Sequence, residues 1–434
     1  MPARAPTSAL LFWTLVAAVA CPVRVDFSVG PFTTLSALDV VLLICAVYFL
    51  LRFLAFVPVT FGPPLIAIAV LTPAVLAVMS ILWTVDATLT AAAAIKYLYT
   101  VLIYFVALQF GANLSYTQFI RAIVVILFGW LLGSLAMYVG VPGFPFFLPQ
   151  SLGFSEPEVL DLLASLYTRL GHPYVGQSND YGPLLALLGF LLLGCARVRD
   201  SCLLFVASAL AFVSSTLTLS RGLMAALLIS LSLYALISRV PPRRIASIAV
   251  SGAVLAGLLA LALGASEISV VLDDREINIA DIVESRLSDV NLTIRVEGYQ
   301  EILSLISDRP WLGYGAGYYD RTYPNAFVAA HNAYLEQWKY FGTLLGTLSN
   351  ACYLAMAIYF FGLRRDFHES PFIDAVACAW VCLLAAALVE TFFEAPTPRA
   401  VIYFVLGLCI SVPRPNGPEA VRSRPSRDDL NHRT

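Results

Sequence analysis

Apolar runs about as long as a bilayer is thick recur along the whole of this 434-residue chain, broken only by short stretches of charge, proline or glycine. A helix needs about 20 such residues to cross the hydrocarbon core, where every backbone N–H and C=O must find its partner within the protein. The runs therefore read as membrane-spanning helices. About twelve are present, over residues 8–22, 37–56, 63–83, 91–110, 119–140, 181–196, 201–219, 222–238, 245–264, 342–362, 372–391 and 399–412. The expected fold class is all-α, a polytopic membrane helix bundle of about twelve transmembrane helices. Composition agrees: 12% of the residues are charged, against about 25% in soluble domains. The net charge of −2 says less than where the charges lie, and no nucleic-acid partner is expected.

Threading the runs alternately across a membrane places Arg4, Arg52, Arg121, Arg197, Arg199, Arg239, Arg243, Arg244, Arg364, Arg365 and five tail arginines, Arg414 to Arg433, on one side. Basic loops stay in the cytoplasm, so both termini are assigned there. The longest loop on the opposite side is acidic, with eleven Asp or Glu against five Arg between residues 265 and 330. Four parts follow: about nine N-terminal transmembrane helices (1–264), one large, partly helical periplasmic loop (265–333), about three C-terminal transmembrane helices (334–412) and a disordered cytoplasmic tail (413–434). Within the loop, residues 281–287 and 294–306 have helical periodicity, Gly313-Tyr314-Gly315-Ala316-Gly317 reads as a turn, and a helix starts near His331-Asn332. A second long outer segment, 141–180, opens with the Pro- and Phe-rich stretch Val141 to Phe147, which suits the membrane interface.

All eight cysteines fall in or beside apolar runs and none lies in the large loop, so a disulfide framework is not expected. Cys378 and Cys382 share a helix face, yet without neighbouring ligands they read as small buried hydrophobes. Ala18-Val19-Ala20-Cys21 has a faint likeness to a lipoprotein cleavage site; retained or removed, it leaves residue 22 on the outer side.

Charge beside a long apolar run costs several kcal/mol unless satisfied, which makes each such residue a functional candidate. Arg221 occupies a break of a few residues between two helices, in Thr218-Leu219-Ser220-Arg221-Gly222, and the competing reading is an arginine snorkelling at a helix end. Arg295 lies on a loop helix before Pro310, where a surface pair with Glu297 or Asp289 is the alternative. Lys96 stands beside Tyr97 and Tyr99, and Arg169 precedes Gly171-His172-Pro173; snorkelling accounts equally well for both. His331 opens a helical run near the outer surface, where an imidazole can accept a proton at neutral pH or serve structure alone. Asn332 reads first as a helix cap.

Ser220-Arg221-Gly222, then Arg295 followed by Pro310-Trp311-Leu312-Gly313-Tyr314-Gly315, then Ala330-His331-Asn332-Ala333-Tyr334-Leu335 and Phe341-Gly342, together resemble the bacterial O-antigen ligase and O-antigen polymerase family. The likeness is clearest over residues 200–360 and rests on order, spacing and sidedness. It implies a multi-pass protein of the bacterial inner membrane with a periplasmic active site. The implied activity is an inverting, metal-independent glycosyltransferase without a cofactor. Its donor would be a glycan on undecaprenyl pyrophosphate, and its acceptor lipid A core or another lipid-linked glycan. By the same resemblance Arg221 and Arg295 grip the pyrophosphate, His331 orients or deprotonates the acceptor hydroxyl, and Lys96 and Arg169 support the phosphate site. Arginine suits that task because its fixed fork matches phosphate oxygens and never loses its charge.

Ligase and polymerase share a donor, and exopolysaccharide polymerases share the pattern. A transporter or flippase of lipid-linked sugars would instead line a central cavity with polar residues; the runs here are poor in charge apart from Lys96, Glu390 and their ends. A metal-dependent membrane glycosyltransferase would use an acidic residue in the first outer loop, where Asp26 stands without a close acidic partner.

Overall fold

A computed structural model of the protein describes residues 6–21, 24–29, 32–55, 57–138, 178–218, 220–239, 270–272, 275–277, 290–318, 332–366, 370–393 and 395–412. In chain order these form α1 (Pro6–Ala20), α2 (Ala37–Leu54), α3 (Pro64–Met79), α4 (Ala87–Gly111), α5 (Tyr116–Tyr138), α6 (Ser178–Arg199), α7 (Cys202–Thr216) and α8 (Arg221–Ile237). They continue with α9 (Val290–Asp308), α10 (Ala333–Asp366), α11 (Pro371–Ala386) and α12 (Pro396–Ser411). Eleven of the predicted apolar runs are thus helical; the run at 245–264, the segment 281–287 and the tail lie outside the described residues.

The protein is a helical, multi-pass membrane bundle. Among the described residues six helices are long and apolar enough to cross a membrane, those within 37–54, 64–82, 87–111, 116–136, 179–199 and 333–364, and five shorter apolar helices pack with them. Large apolar side chains such as Leu43, Leu51, Leu132, Leu228 and Leu344 stand exposed on the bundle's outside, a surface that lipid rather than water satisfies. Helix α6 runs through the middle, where Leu184 to Leu193 are all buried. Its backbone is approached closely by small hydroxyls: Ser215 Oγ donates to Gly182 O (2.9 Å) and Ser208 Oγ to Gly189 O (2.8 Å). Small polar residues join membrane helices this way because apolar attraction is as strong to lipid as to a neighbour.

Two short antiparallel hairpins are present that the apolar pattern does not announce, β1 (Arg24–Val29) with β2 (Phe32–Ser36), and β3 (Val270–Leu272) with β4 (Arg275–Ile277). The first leads straight into a capping box. Ser36 Oγ accepts from Asp39 N (3.1 Å) while the Asp39 carboxylate accepts from Ser36 N (2.7 Å), which fixes where α2 begins and occupies Asp39 structurally.

Opposite faces of the bundle carry different chemistry. At one end Asp374, buried in α11, accepts from Arg364 Nε on α10 (2.8 Å) and from Ser238 Oγ after α8 (2.8 Å). Arg364 also donates to Ile237 O (2.7 Å) and Arg197 to Ser238 O (3.3 Å). These arginines belong to the set that the sequence places together. Asp374→Ala strands a guanidinium and a hydroxyl at this junction, and the expected loss is about 2 kcal/mol of stability, read as a lower melting temperature in detergent.

The other end is organised by a break in α10. Gly342 has φ 74° and ψ 174°, so the helix stops and restarts there. The break frees carbonyls of one half and amides of the next, groups that must be paired elsewhere. Residues 310–315 supply the partners: Tyr314 N donates to Lys339 O (3.0 Å), Gly315 N to Tyr340 O (2.9 Å), and Thr343 N to Pro310 O (2.7 Å). The same segment reaches the start of α4, where Thr84 Oγ1 donates to Tyr314 O (2.9 Å) and Val85 N to the same oxygen (3.1 Å). The two glycine-bearing segments of the resemblance are therefore one docked unit.

Candidate active site

Helix α8 starts at Arg221 because Ser220 caps it, its Oγ accepting from Leu223 N (3.4 Å). The Arg221 side chain is exposed and forms no ion pair among the described residues. Ser220 is buried and donates to Glu390 Oε1 (2.8 Å), a carboxylate only 1% exposed. Gly222 is glycine for space, since a Cβ there would lie 1.9 Å from Val389 Cγ2.

Glu390 ends a short segment, 387–390, that follows α11 and meets three other elements in four residues. Ala387 O accepts from Ala333 N (2.9 Å), at the start of α10 and two residues after His331. Leu388 O accepts from the Tyr299 hydroxyl (3.4 Å), four residues after Arg295 on α9. Val389 packs on Gly222 and Glu390 holds Ser220, on either side of Arg221. Helices α9 and α10 are in turn joined by an apolar cluster of Ile302 and Ile306 with Tyr299, Leu335 and Trp338.

The fold thus gathers the elements that carry two of the predicted residues and the start of the helix after a third. Arg295 lies within α9; His331 and Arg169 fall outside the described residues. Asn332 takes the capping role: its Oδ1 accepts from Tyr334 N (3.0 Å) and Leu335 N (3.1 Å). Lys96 stands on the exposed side of α4 beside buried Tyr97, whose hydroxyl accepts from Gln337 Nε2 (3.1 Å) on α10. Gln337 Oε1 accepts from Ser349 Oγ (2.6 Å), which ties the two halves of α10 across its break.

Sequence reasoning missed Arg399 and the role of Glu390. The Arg399 guanidinium carbon lies 3.7 Å from the centre of the Tyr97 ring, and its Nε donates to Thr100 Oγ1 (3.2 Å), a buried cation held by an aromatic face and a hydroxyl. A charge at the end of an apolar run is the signal that marks both. A second buried pair, Lys339 with Glu336 (2.5 Å), sits on the first half of α10, with Lys339 Nζ 4.9 Å from the Tyr340 ring centre. Among the described residues no three His, Cys, Asp or Glu side chains come together as metal ligands.

Chemically, this end offers an exposed, permanently charged guanidinium at a helix N-terminus, where the peptide dipoles also favour an anion. No curated protein matches the chain. Residues 203–349, from α7 to the second half of α10, match the family model described as O-antigen ligase. That span contains Arg221, Arg295 and His331 and both docked glycine segments, and over it the chain is similar to the O-antigen ligase family.

Proposed function

We propose that this protein, a membrane glycosyltransferase of the O-antigen ligase and polymerase type, moves a glycan from undecaprenyl pyrophosphate to an acceptor at the outer face of the cytoplasmic membrane, with inversion and without a metal. The observation that carries the reading is the convergence on residues 387–390 of α8, α9 and α10, the elements that bear Arg221 and Arg295 or follow His331. Breaking the bond from sugar to phosphate leaves charge on the pyrophosphate, and fixed guanidinium groups stabilise charge that develops in the transition state. Arg221 and Arg295 take that part; His331 orients the acceptor hydroxyl and takes its proton as the hydroxyl oxygen attacks the anomeric carbon. Lys96 and Arg169 support the phosphates.

The outward orientation is supported by the cluster of Arg197, Arg364 and Asp374 at the far end, the side that basic residues mark as cytoplasmic. With the donor's polyprenyl tail in the bilayer, its pyrophosphate lies level with the helix ends that carry Arg221.

Transfer by the purified full-length protein, assayed with membrane lipid extract from a deletion strain, is expected to proceed at an unchanged rate in EDTA. Loss of transfer in EDTA, restored by added Mg or Mn, would replace this reading with a metal-dependent mechanism.

A further inference from the structure

Glu390 is a carboxylate only 1% exposed at the end of an apolar bundle, and burial of that kind is costly unless the group is held. It is held at the first turn of α8: Ser220 Oγ donates to Glu390 Oε1 (2.8 Å), and the same oxygen of Ser220 accepts from Leu223 N (3.4 Å). One hydroxyl therefore links the carboxylate to the helix cap, and negative charge beside a helix N-terminus is favoured by the dipole. Arg221 follows directly. The three residues before Glu390 touch α10 through Ala387 O, α9 through Leu388 O and α8 through the Val389–Gly222 contact. Glu390 is thus the last link of a strap that sets the height of the α8 N-terminus against the helices around it.

We propose that Glu390 is a positioning residue for glycan transfer, its buried carboxylate fixing Ser220 and with it the placement of Arg221 opposite α9 and α10. This rests on the reading that Arg221 binds the donor pyrophosphate. Misplacing a catalytic group by about 1 Å costs on the order of 100-fold in rate, so a hydrogen bond that touches no substrate can govern turnover. The donor's binding is shared among several groups, so its KM depends less on this link than kcat does.

The test is a double-mutant cycle on the full-length protein in nanodiscs, with membrane lipid extract from a deletion strain as substrate and rates normalised to folded protein. Glu390→Ala and Ser220→Ala are each expected to lower kcat at least ten-fold, with the apparent donor KM changed by no more than about three-fold. The double variant should be no slower than the worse single one, because both remove the same link. Glu390→Gln keeps an acceptor oxygen for Ser220 and should recover most of the lost kcat. Normal kcat in either alanine variant, or multiplying losses in the double variant, overturns the proposal. Should Glu390→Ala fail to accumulate, Ser220→Ala and Glu390→Gln still decide it. Arg221→Ala is run alongside: if it transfers glycan normally, the functional reading itself fails, whereas an inactive Arg221→Ala beside fully active Glu390→Ala removes only the positioning role.

Discussion

Cells that carry Arg221→Ala in place of the native protein are expected to lose long-chain surface glycan while keeping the protein in their membranes. Both halves follow from the geometry of one residue. The guanidinium is exposed and forms no ion pair among the described residues, so the fold loses little when it goes. Removing one preformed charge stabiliser from a transition state costs about 3 kcal/mol, or on the order of 100-fold in rate. A gel of lipopolysaccharide beside an immunoblot of the membrane fraction reads both quantities. A wild-type glycan ladder at equal protein level would count directly against the pyrophosphate role. Arg295→Ala and His331→Ala should give the same pattern. In a full deletion the gel also separates the acceptors: core with a single repeat marks a lost polymerase, accumulated lipid-linked polymer beside bare core a lost ligase, and unchanged lipopolysaccharide an exopolysaccharide enzyme.

Gly342→Ala is expected to destabilise the protein severely for a single added methyl group. At φ 74° and ψ 174° the backbone occupies a region essentially closed to residues with a Cβ. Space is lacking too, because a Cβ there would lie 2.3 Å from both the carbonyl carbon and the oxygen of Trp311. The strain alone is worth about 1–3 kcal/mol. Relieving the clash would pull the Gly313–Gly317 turn from Lys339 and Tyr340, whose carbonyls it satisfies. The melting temperature in detergent should fall by several degrees, and limited proteolysis should begin cutting near residues 309–318. A variant that melts as the native protein does and resists protease would mean that α10 can run unbroken through residue 342.

Much of this architecture is legible in the sequence. Eleven of the apolar runs are helices, α9 spans the periodicity seen at 294–306, and α10 begins beside Asn332. The sequence reads the helix start near His331-Asn332 and the apolar run at 342–362 as separate features, because Glu336 and Lys339 make the first turns too polar for an apolar run; the structure joins them as α10. The two charged side chains are tolerated because they pair with each other. Gly342, by contrast, looks from the sequence like an ordinary helix start, although it is a break within a longer element.

The candidate site divides in the same way. Arg221 stands out as a charge between two apolar runs and His331 as the start of a helical run, Arg295 alone reads as a surface residue, and the family resemblance raises all three. Nothing in the linear pattern says that residues 387–390 touch α8, α9 and α10, or that Glu390 reaches back 170 positions to Ser220.

By itself, then, the sequence determined the helices, their approximate limits and the placing of Arg197 and Arg364 on the same side. Each of those follows from local rules: internal backbone hydrogen bonding in an apolar medium and the cost of moving charge across it. Only the tertiary structure decided which helix ends meet, where α10 breaks and which carboxylate anchors Arg221's helix. Lateral contacts between membrane helices depend on close approach at small residues and on single hydrogen bonds between distant positions. Those terms leave no periodic trace along the chain.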